Sequence, residues 1–444
     1  MNTMHNDNGI IIALATPNGR SAVAIIRMSG KGCIELVRPF LSCALEVGKL
    51  KVNKFNGKTF DERLMAVCYK APKSYTGEDI VELYPHGNPT ICDMIIKTLI
   101  GAGARVAERG EFTKRAFLNG KVDLMQCEAL ADIIDAQTAE QLNYGNKRYD
   151  GGFKSLFDVE NILKDALSRV EAVLHYGDEL EGEDVDEGID EDVFNGIDRA
   201  IEMLSAEIKG YAGGKIIKDG FKVALIGEPN VGKSTLLNAL IGSERAIVTP
   251  IAGTTRDIID GEYIYNDRKF IIIDTAGIKD NTDDEVEKIG IDRAKQAAEG
   301  ADGVLYIVND GKTETEQKTG ERFAVVWNKC DDITDVGTEY DRATEGEKLK
   351  ISAKHGKNIT ALKQRLYDMC PKDFGSICNH RQYDCVVKCL DSLKSAKSEA
   401  KSAGGLEIVA ALLYEAYSAM TELYGEKADE KVISAVFDRF CVGK

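Results

Sequence analysis

Four short stretches of this chain have the residue types and the order that nucleotide chemistry requires. The first, GEPNVGKS (Gly227 to Ser234), fits the pattern G-x-x-x-x-G-K-[ST] between the strand-like FKVALI and the helix-like TLLNALIG. Glycines there let backbone N–H groups turn toward phosphate, and the helix that follows offers its N-terminus. Lys233 is placed to bridge β- and γ-phosphates and Ser234 to ligate magnesium, with Asn230, Val231, Gly232 and Thr235 completing the loop. DTAG (Asp274, Thr275, Ala276, Gly277) closes the strand-like KFIII, where Asp274 can hold the magnesium shell and the Gly277 amide can sense a γ-phosphate. NKCD follows FAVVW, and its Asp331, beside Asn328 and Lys329, can accept from the N1 and N2 hydrogens of guanine, which adenine lacks. SAK (Ser352, Ala353, Lys354) follows LKI as the third guanine loop. Four ordered motifs on alternating strands and helices predict a GTPase.

TPIAGTT (Thr249, Pro250, Ile251, Ala252, Gly253, Thr254, Thr255) lies between the first two motifs, where a phosphate-sensing switch belongs. Thr255 is the natural second hydroxyl ligand for magnesium. After DTAG stands Ile278, which can donate nothing, at the place where Ras-like proteins carry a water-orienting Gln. Hydrolysis therefore needs help from elsewhere. Asn230 could offer a carbonyl oxygen to a monovalent cation sitting where an arginine finger would act. Glu287, in DDEVEKIG, could position water, although from the residues alone a helix-surface acid is the stronger reading.

The elements that must hold these motifs fall into three textures. Up to about residue 120, β-like runs such as SAVAIIRM and RLMAVCYK alternate with turns, and TICDMIIKTLIGAG reads as a helix, which suggests an α+β domain. From KVDLMQCEALADIIDAQTAEQL the period is helical, with Leu124, Ala131, Ile134 and Leu142 spaced for one face. A βα-alternating block then runs from FKVALIG to about residue 372, and helices return to the end. The expected organisation is an α+β domain over 1–120, a helical domain over 121–215 and 373–444, and an α/β block over 216–372 inserted in it; such insertion is structurally cheap.

With 444 residues the chain can bury two or three cores. No apolar run reaches the roughly 18 residues of a membrane helix, and MNTMHNDNG has no basic start of a signal peptide, so a cytoplasmic protein is expected. Cys378, His380, Cys385 and Cys389 could be drawn as zinc ligands, but Cys385 and Cys389 are four apart in a helix-like stretch without a C-x-x-C knuckle. Buried helix thiols are the better reading. The net charge of −16 argues against a stand-alone nucleic-acid binder, with GNKRY (Gly145 to Tyr149) and FTKRAF as the local basic spots.

APKSYTGEDIVELYPHG, RGEFTKRAFLNGKVDLMQCEALADIIDA, GEPNVGKSTLLNAL, TPIAGTTRDIID, DTAGI and the terminal CVGK together resemble the MnmE/TrmE family of tRNA-modification GTPases, from the N-terminus to the last residue. The resemblance implies a folate-binding and dimerising N-terminal domain, a split helical domain and an inserted Ras-like P-loop G domain. It also implies an FAD-dependent partner of the MnmG/GidA type and a tetrahydrofolate one-carbon unit (5-formyl- or 5,10-methylene-tetrahydrofolate). The product would be an aminomethyl or carboxymethylaminomethyl group at C5 of the wobble uridine (position 34) of certain tRNAs. GTP hydrolysis would be coupled to this through potassium-dependent pairing of G domains in a homodimer. Residue by residue, Arg27, Glu82, Lys121 and Lys444 match the folate contacts. Asn230, Thr249, Ile251 and Thr254 match the potassium site, Ser234 and Thr255 the magnesium ligands, and Glu287 the catalytic acid. Two departures stand out: HGN (His86 to Asn88) where HGG is usual, and a G domain short by about a helix before NKCD.

The ending CVGK places a thiol, Cys441, ahead of a Gly443 that reads as a flexible tail. As a prenylation box it is poor, since Lys is not a usual final residue. As the family's terminal motif it would fold back beside the folate, with Lys444 on the cofactor and Cys441 at the reaction centre, attacking a carbon, adding transiently to a uridine ring or shaping the pocket. A ribosome-assembly switch of the Era-like type would have nearly the same G domain. It would need a basic RNA-binding module at a C-terminus that here reads as helical. A folate-dependent aminomethyltransferase alone leaves the G domain unexplained.

Overall fold

In the computed structural model, the residues described are 9–176, 191–242, 261–274, 299–309, 322–345, 348–402 and 405–444. The chain divides into two compact units, one of residues 1–131 with 421–444, the other of residues 132–420. The first unit is built on β1 (Ile11–Leu14), β2 (Ile26–Ser29), α1 (Cys33–Val37), β3 (Lys51–Asn56), β4 (Asp61–Tyr69), β5 (Ile80–Tyr84), α2 (Pro89–Gly101), β6 (Arg105–Val106), α3 (Glu111–Leu118) and the start of α4 (Leu124–Asp135). Its strands form one sheet in the order β3-β4-β5-β2-β1-β6, antiparallel throughout except between β1 and β6. One face, carrying Ile12, Ile26, Met28, Leu64, Ala66, Val81 and Leu83, is sealed by α2 through Cys92, Ile95 and Leu99. The other face carries Arg27, Glu82 and Tyr84, because strand side chains alternate.

Asn88, where the family pattern has glycine, is the N-cap of α2: its side chain accepts from Thr90 N at 2.9 Å, and Pro89 opens the helix. The residue that must be glycine in this turn is Gly87, whose added Cβ would lie 2.0 Å from Ser21 Oγ.

The second unit holds α5 (Ala139–Tyr149), α6 (Lys154–Tyr176), α7 (Glu191–Asp219), β7 (Phe221–Ile226), α8 (Lys233–Ile241), β8 (Gly261–Tyr265), β9 (Arg268–Asp274), β10 (Gly303–Val308), β11 (Phe323–Trp327), α9 (Tyr340–Ala343), β12 (Thr344–Glu345), β13 (Lys348–Lys350), α10 (Ile359–Asp368), α11 (His380–Lys401) and most of α12 (Leu406–Tyr424). The chain closes in the first unit with α13 (Glu430–Phe437). The seven strands run β12-β13-β11-β10-β7-β9-β8, parallel from β13 to β9. Central strands such as FKVALI and GVLYIV are near-continuous apolar runs, as strands covered on both faces must be. Cys385 and Cys389 lie buried in α11, and burial pushes the Cys389 thiol up to about 12.

The single helical face read through Leu142 is corrected: Leu124 and Ala131 are buried, but the helix stops at Asp135 and Leu142 is exposed on α5. Thr138 caps the new helix through Gln141 N, and Asp267 accepts from Ala139 N at 2.9 Å and Glu140 N at 2.7 Å. Asp267 reaches there from the two-residue β8–β9 turn, where Asn266 and Asp267 both take left-handed backbone, φ 47 and 63. Arg268 pairs with Glu140 beside it.

Where the chain returns from the sheet to the helices, residues 373–377 lie in a notch of α7 made by Gly210, Gly213 and Gly214. An added Cβ would sit 2.2 Å from Gly375 N, 2.1 Å from Asp373 O and 2.6 Å from Ile377 O respectively. Glu207 bonds Ser376 N, Ser376 Oγ and Ser155 Oγ, while Tyr144 donates to Gly375 O and Arg148 Nε to Ser376 O. Gly213→Ala sets two effects against each other: up to about 1 kcal/mol gained in helix propensity and the overlap with the Asp373 carbonyl. The overlap should win, with a net loss of about 1–3 kcal/mol in urea unfolding.

Candidate functional site

In the second unit the phosphate loop runs from β7 to the N-terminus of α8. Gly232 precedes the helix at φ 95, and Asn230 adopts φ 63, a conformation Asn tolerates better than most. Lys233 is buried and donates to Gly227 O at 2.8 Å and Glu228 O at 2.9 Å, so its ammonium stands inside the loop. Ser234 and Thr235 are exposed at the helix start. Gly227 is required by the close approach of Ile307 O, 2.4 Å from an added Cβ.

The guanine loops are braced against this loop. Asn328, fully buried, donates through Nδ2 to Val231 O at 2.9 Å and accepts at Oδ1 from Ala353 N at 3.1 Å, joining three motifs through one amide. Lys329 donates to Asn230 O at 2.7 Å. Asp331 stays exposed, its Oδ1 accepting from Ser352 Oγ at 2.6 Å, and that bond holds its carboxyl below the usual aspartate range. Sequence reasoning missed Lys357, which donates to Asp331 O at 2.6 Å across a loop closed by the Ser352–Lys357 bridge; nothing in the local pattern marks it. Lys354 is exposed. Asp274 ends β9. Thr249, Pro250, Ile251, Ala252, Gly253, Thr254, Thr255, Thr275, Ala276, Gly277 and Glu287 lie outside the described residues.

In the first unit, Arg27 and Glu82 are directly paired across β2 and β5, with Arg27 Nε on Glu82 Oε1 at 2.7 Å. The Arg27 guanidinium sits 5.8 Å from each of the Tyr75 and Phe112 rings and donates to Gly443 O at 3.4 Å. The C-terminal tail therefore folds onto this face. It is held further by Arg109 Nε on Phe440 O at 3.1 Å and by a bridge between Arg109 and Val442. Gly443 is buried rather than flexible: at φ 100, its added Cβ would lie 2.5 Å from Leu14 O. Glycine is needed here for close approach. Cys441 is exposed, Lys444 half-buried, and Lys121 runs past Gly77, its Cε 3.4 Å from a Cβ built there.

The two basic spots read from sequence prove largely structural. Arg148 of GNKRY is buried against Asp132 at 2.6 Å, and Arg115 of FTKRAF is buried against Glu78 at 2.9 Å and Glu111 at 3.0 Å. Neither guanidinium is presented to phosphate; Lys147 is exposed and Lys114 half-buried.

Residues 10–121 match the family description "GTP-binding protein TrmE N-terminus" and residues 124–441 match "MnmE helical domain". The tRNA modification GTPase MnmE of Thermotoga petrophila is 36% identical over 98% of this chain and 99% of its own length. That of Aquifex aeolicus is 37% identical with the same coverage. The chain belongs to the MnmE family. It is a GTPase, and in this chain the Asn328 amide ties the phosphate loop to the two loops that carry NKCD and SAK.

Glu111 supplies a pH test of the first unit. Burial raises its carboxyl, but bonds from Arg105 and Glu108 N and the charges of Arg115 and Arg105 outweigh that and hold it low. A lowered carboxylate contributes stability that is present above its unfolded pKa and lost as pH falls through its folded one. Arg105→Met should therefore cost about 1–2 kcal/mol at neutral pH and start acid unfolding at a higher pH than wild type, as followed by near-UV circular dichroism.

Proposed function

We propose that this chain is a potassium-activated GTPase that works with an FAD-dependent partner in modifying tRNA. The pair uses a tetrahydrofolate one-carbon unit to add an aminomethyl or carboxymethylaminomethyl group at C5 of the wobble uridine, position 34. The observation that carries the reading is relatedness at about a third identity along the whole chain to proteins named tRNA modification GTPase MnmE.

In this reading Lys233 turns from the Gly227 and Glu228 carbonyls to the β- and γ-phosphates. Ser234 and Thr255 hold magnesium, which neutralises phosphate charge, and Asp331 reads the guanine edge. Asn230, Thr249, Ile251 and Thr254 hold potassium where an arginine finger would act, and Glu287 positions the water. Arg27, Glu82, Lys121 and Lys444 bind the folate, and Cys441 takes part at the reaction centre. The ion-paired Arg27 and Glu82 fit such a ligand, because a pterin edge presents N–H groups to a carboxylate and a glutamate tail suits Lys and Arg. Two copies pair through the first unit, where Val47, Leu50, Val52 and Met65 leave an apolar strip exposed along β3 and β4. Among the described residues no helix is long and apolar enough to cross a membrane, and we place the protein in the cytoplasm. With Arg115 and Arg148 buried in ion pairs, most phosphate contacts to tRNA fall to the partner.

Two experiments test this. GTP hydrolysis should fall roughly 10²-fold when potassium is replaced by sodium, and Asn230→Ala should flatten that difference. Equal rates in both salts remove the potassium claim. Mass spectrometry of tRNA nucleosides from cells lacking the protein should show loss of the C5 aminomethyl-type uridines, restored by the intact chain but not by Lys233→Ala or Cys441→Ala. Unchanged nucleosides together with accumulating ribosomal precursors would mean an assembly switch instead.

A further inference from the structure

Glu82 has a second donor that the motifs did not mark. Tyr84 lies two residues on in β5, on the same face, and its hydroxyl donates to Glu82 Oε2 at 2.5 Å while Arg27 Nε donates to Oε1 at 2.7 Å. We propose that Tyr84 is a positioning residue for the one-carbon carrier, locking the Glu82 carboxylate so that it selects a ligand with two adjacent N–H donors.

A carboxylate has about four lone-pair sites. Arg27 and Tyr84 occupy one on each oxygen, so each oxygen keeps another for an incoming group. Two acceptors held in one plane match the amino-pyrimidinone edge of a reduced pterin, which presents a ring N–H beside an exocyclic amine. Arg27 alone would leave the carboxylate free to turn about its terminal torsion, which is broad for Glu. The second bond, on the other oxygen, stops that rotation. Burial, and then the neighbouring carboxylate, push the Tyr84 phenol above its ordinary value, so it remains an O–H donor at any working pH. Arg27 is itself fixed by Gly443 O and by the Tyr75 and Phe112 rings, so the clamp rests on a rigid base.

This assignment rests on the folate reading above, and the test separates the two. The full chain is titrated calorimetrically with 5-formyltetrahydrofolate and with its 2-desamino analogue, for wild type, Tyr84→Phe, Glu82→Gln and the double variant. Tyr84→Leu serves as a second hydroxyl-free form, and thermal unfolding checks that each variant is folded. We expect Tyr84→Phe to weaken the parent folate about tenfold, to leave the desamino analogue unchanged, and to have no effect once Glu82 is Gln. No binding of the parent folate by wild type overturns the folate reading and this assignment with it. Wild-type binding that Tyr84→Phe and Tyr84→Leu leave intact overturns the assignment alone. So does a loss that is equal for both ligands or that persists beside Glu82→Gln, because a merely structural tyrosine would behave in that way.

Discussion

The second unit depends on a space constraint at one helix. The chain leaves the helices along α7, turns at Gly220 into β7, and must come back past the same helix after α10. Gly210, Gly213 and Gly214 remove the side chains that would block the return, and backbone fills the groove. The polar backbone brought into that groove needs partners, and Glu207, Tyr144 and Arg148 supply them. The buried Arg148 is in turn balanced by Asp132 at the end of α4, so the junction draws on helices from well-separated parts of the chain.

Both candidate sites use the same device, a side chain with several fixed donors or acceptors that bridges segments distant in sequence. Asn328 joins the phosphate loop to the SAK loop with the two ends of one amide. Arg27 joins a strand carboxylate to the C-terminal tail with two nitrogens of one guanidinium. In each case the local order of a loop is set by a residue remote in sequence. Such a loop can be irregular and still be held in one place.

What was legible in the sequence was what chemistry restricts to few residue types. Lys233, Asn328, Asp331 and Ser352 stood out because a phosphate loop and guanine loops admit few residue types, and the structure brings their motifs together; the parallel strands could be placed because burial on both faces makes them apolar throughout. What was hidden depends on partners far along the chain. The break between α4 and α5 is fixed by Asp267, more than a hundred residues away, so the helical period ran on through it. The arginines of GNKRY and FTKRAF looked available because Asp132 and Glu78 lie outside those motifs. Gly443 looked like a flexible joint because a sequence does not show that Leu14 O would lie against it. Tyr84 was discoverable from its spacing to Glu82, had the strand's alternation been followed one step further.

The turn joining β8 and β9 is fastened to α5 by the Asp267 cap and the Arg268–Glu140 pair, while the two strands run paired in register from Tyr265–Arg268 to Gly261–Ile272. Mechanically the hairpin is pinned twice, at its turn by α5 and along β9 by the parallel pairing with β7, which leaves β8 as the strand with a free edge among the described residues. A load on that edge is carried into the sheet through β9 rather than into the turn. A force large enough to move the turn itself must first strip two backbone amides of their acceptor.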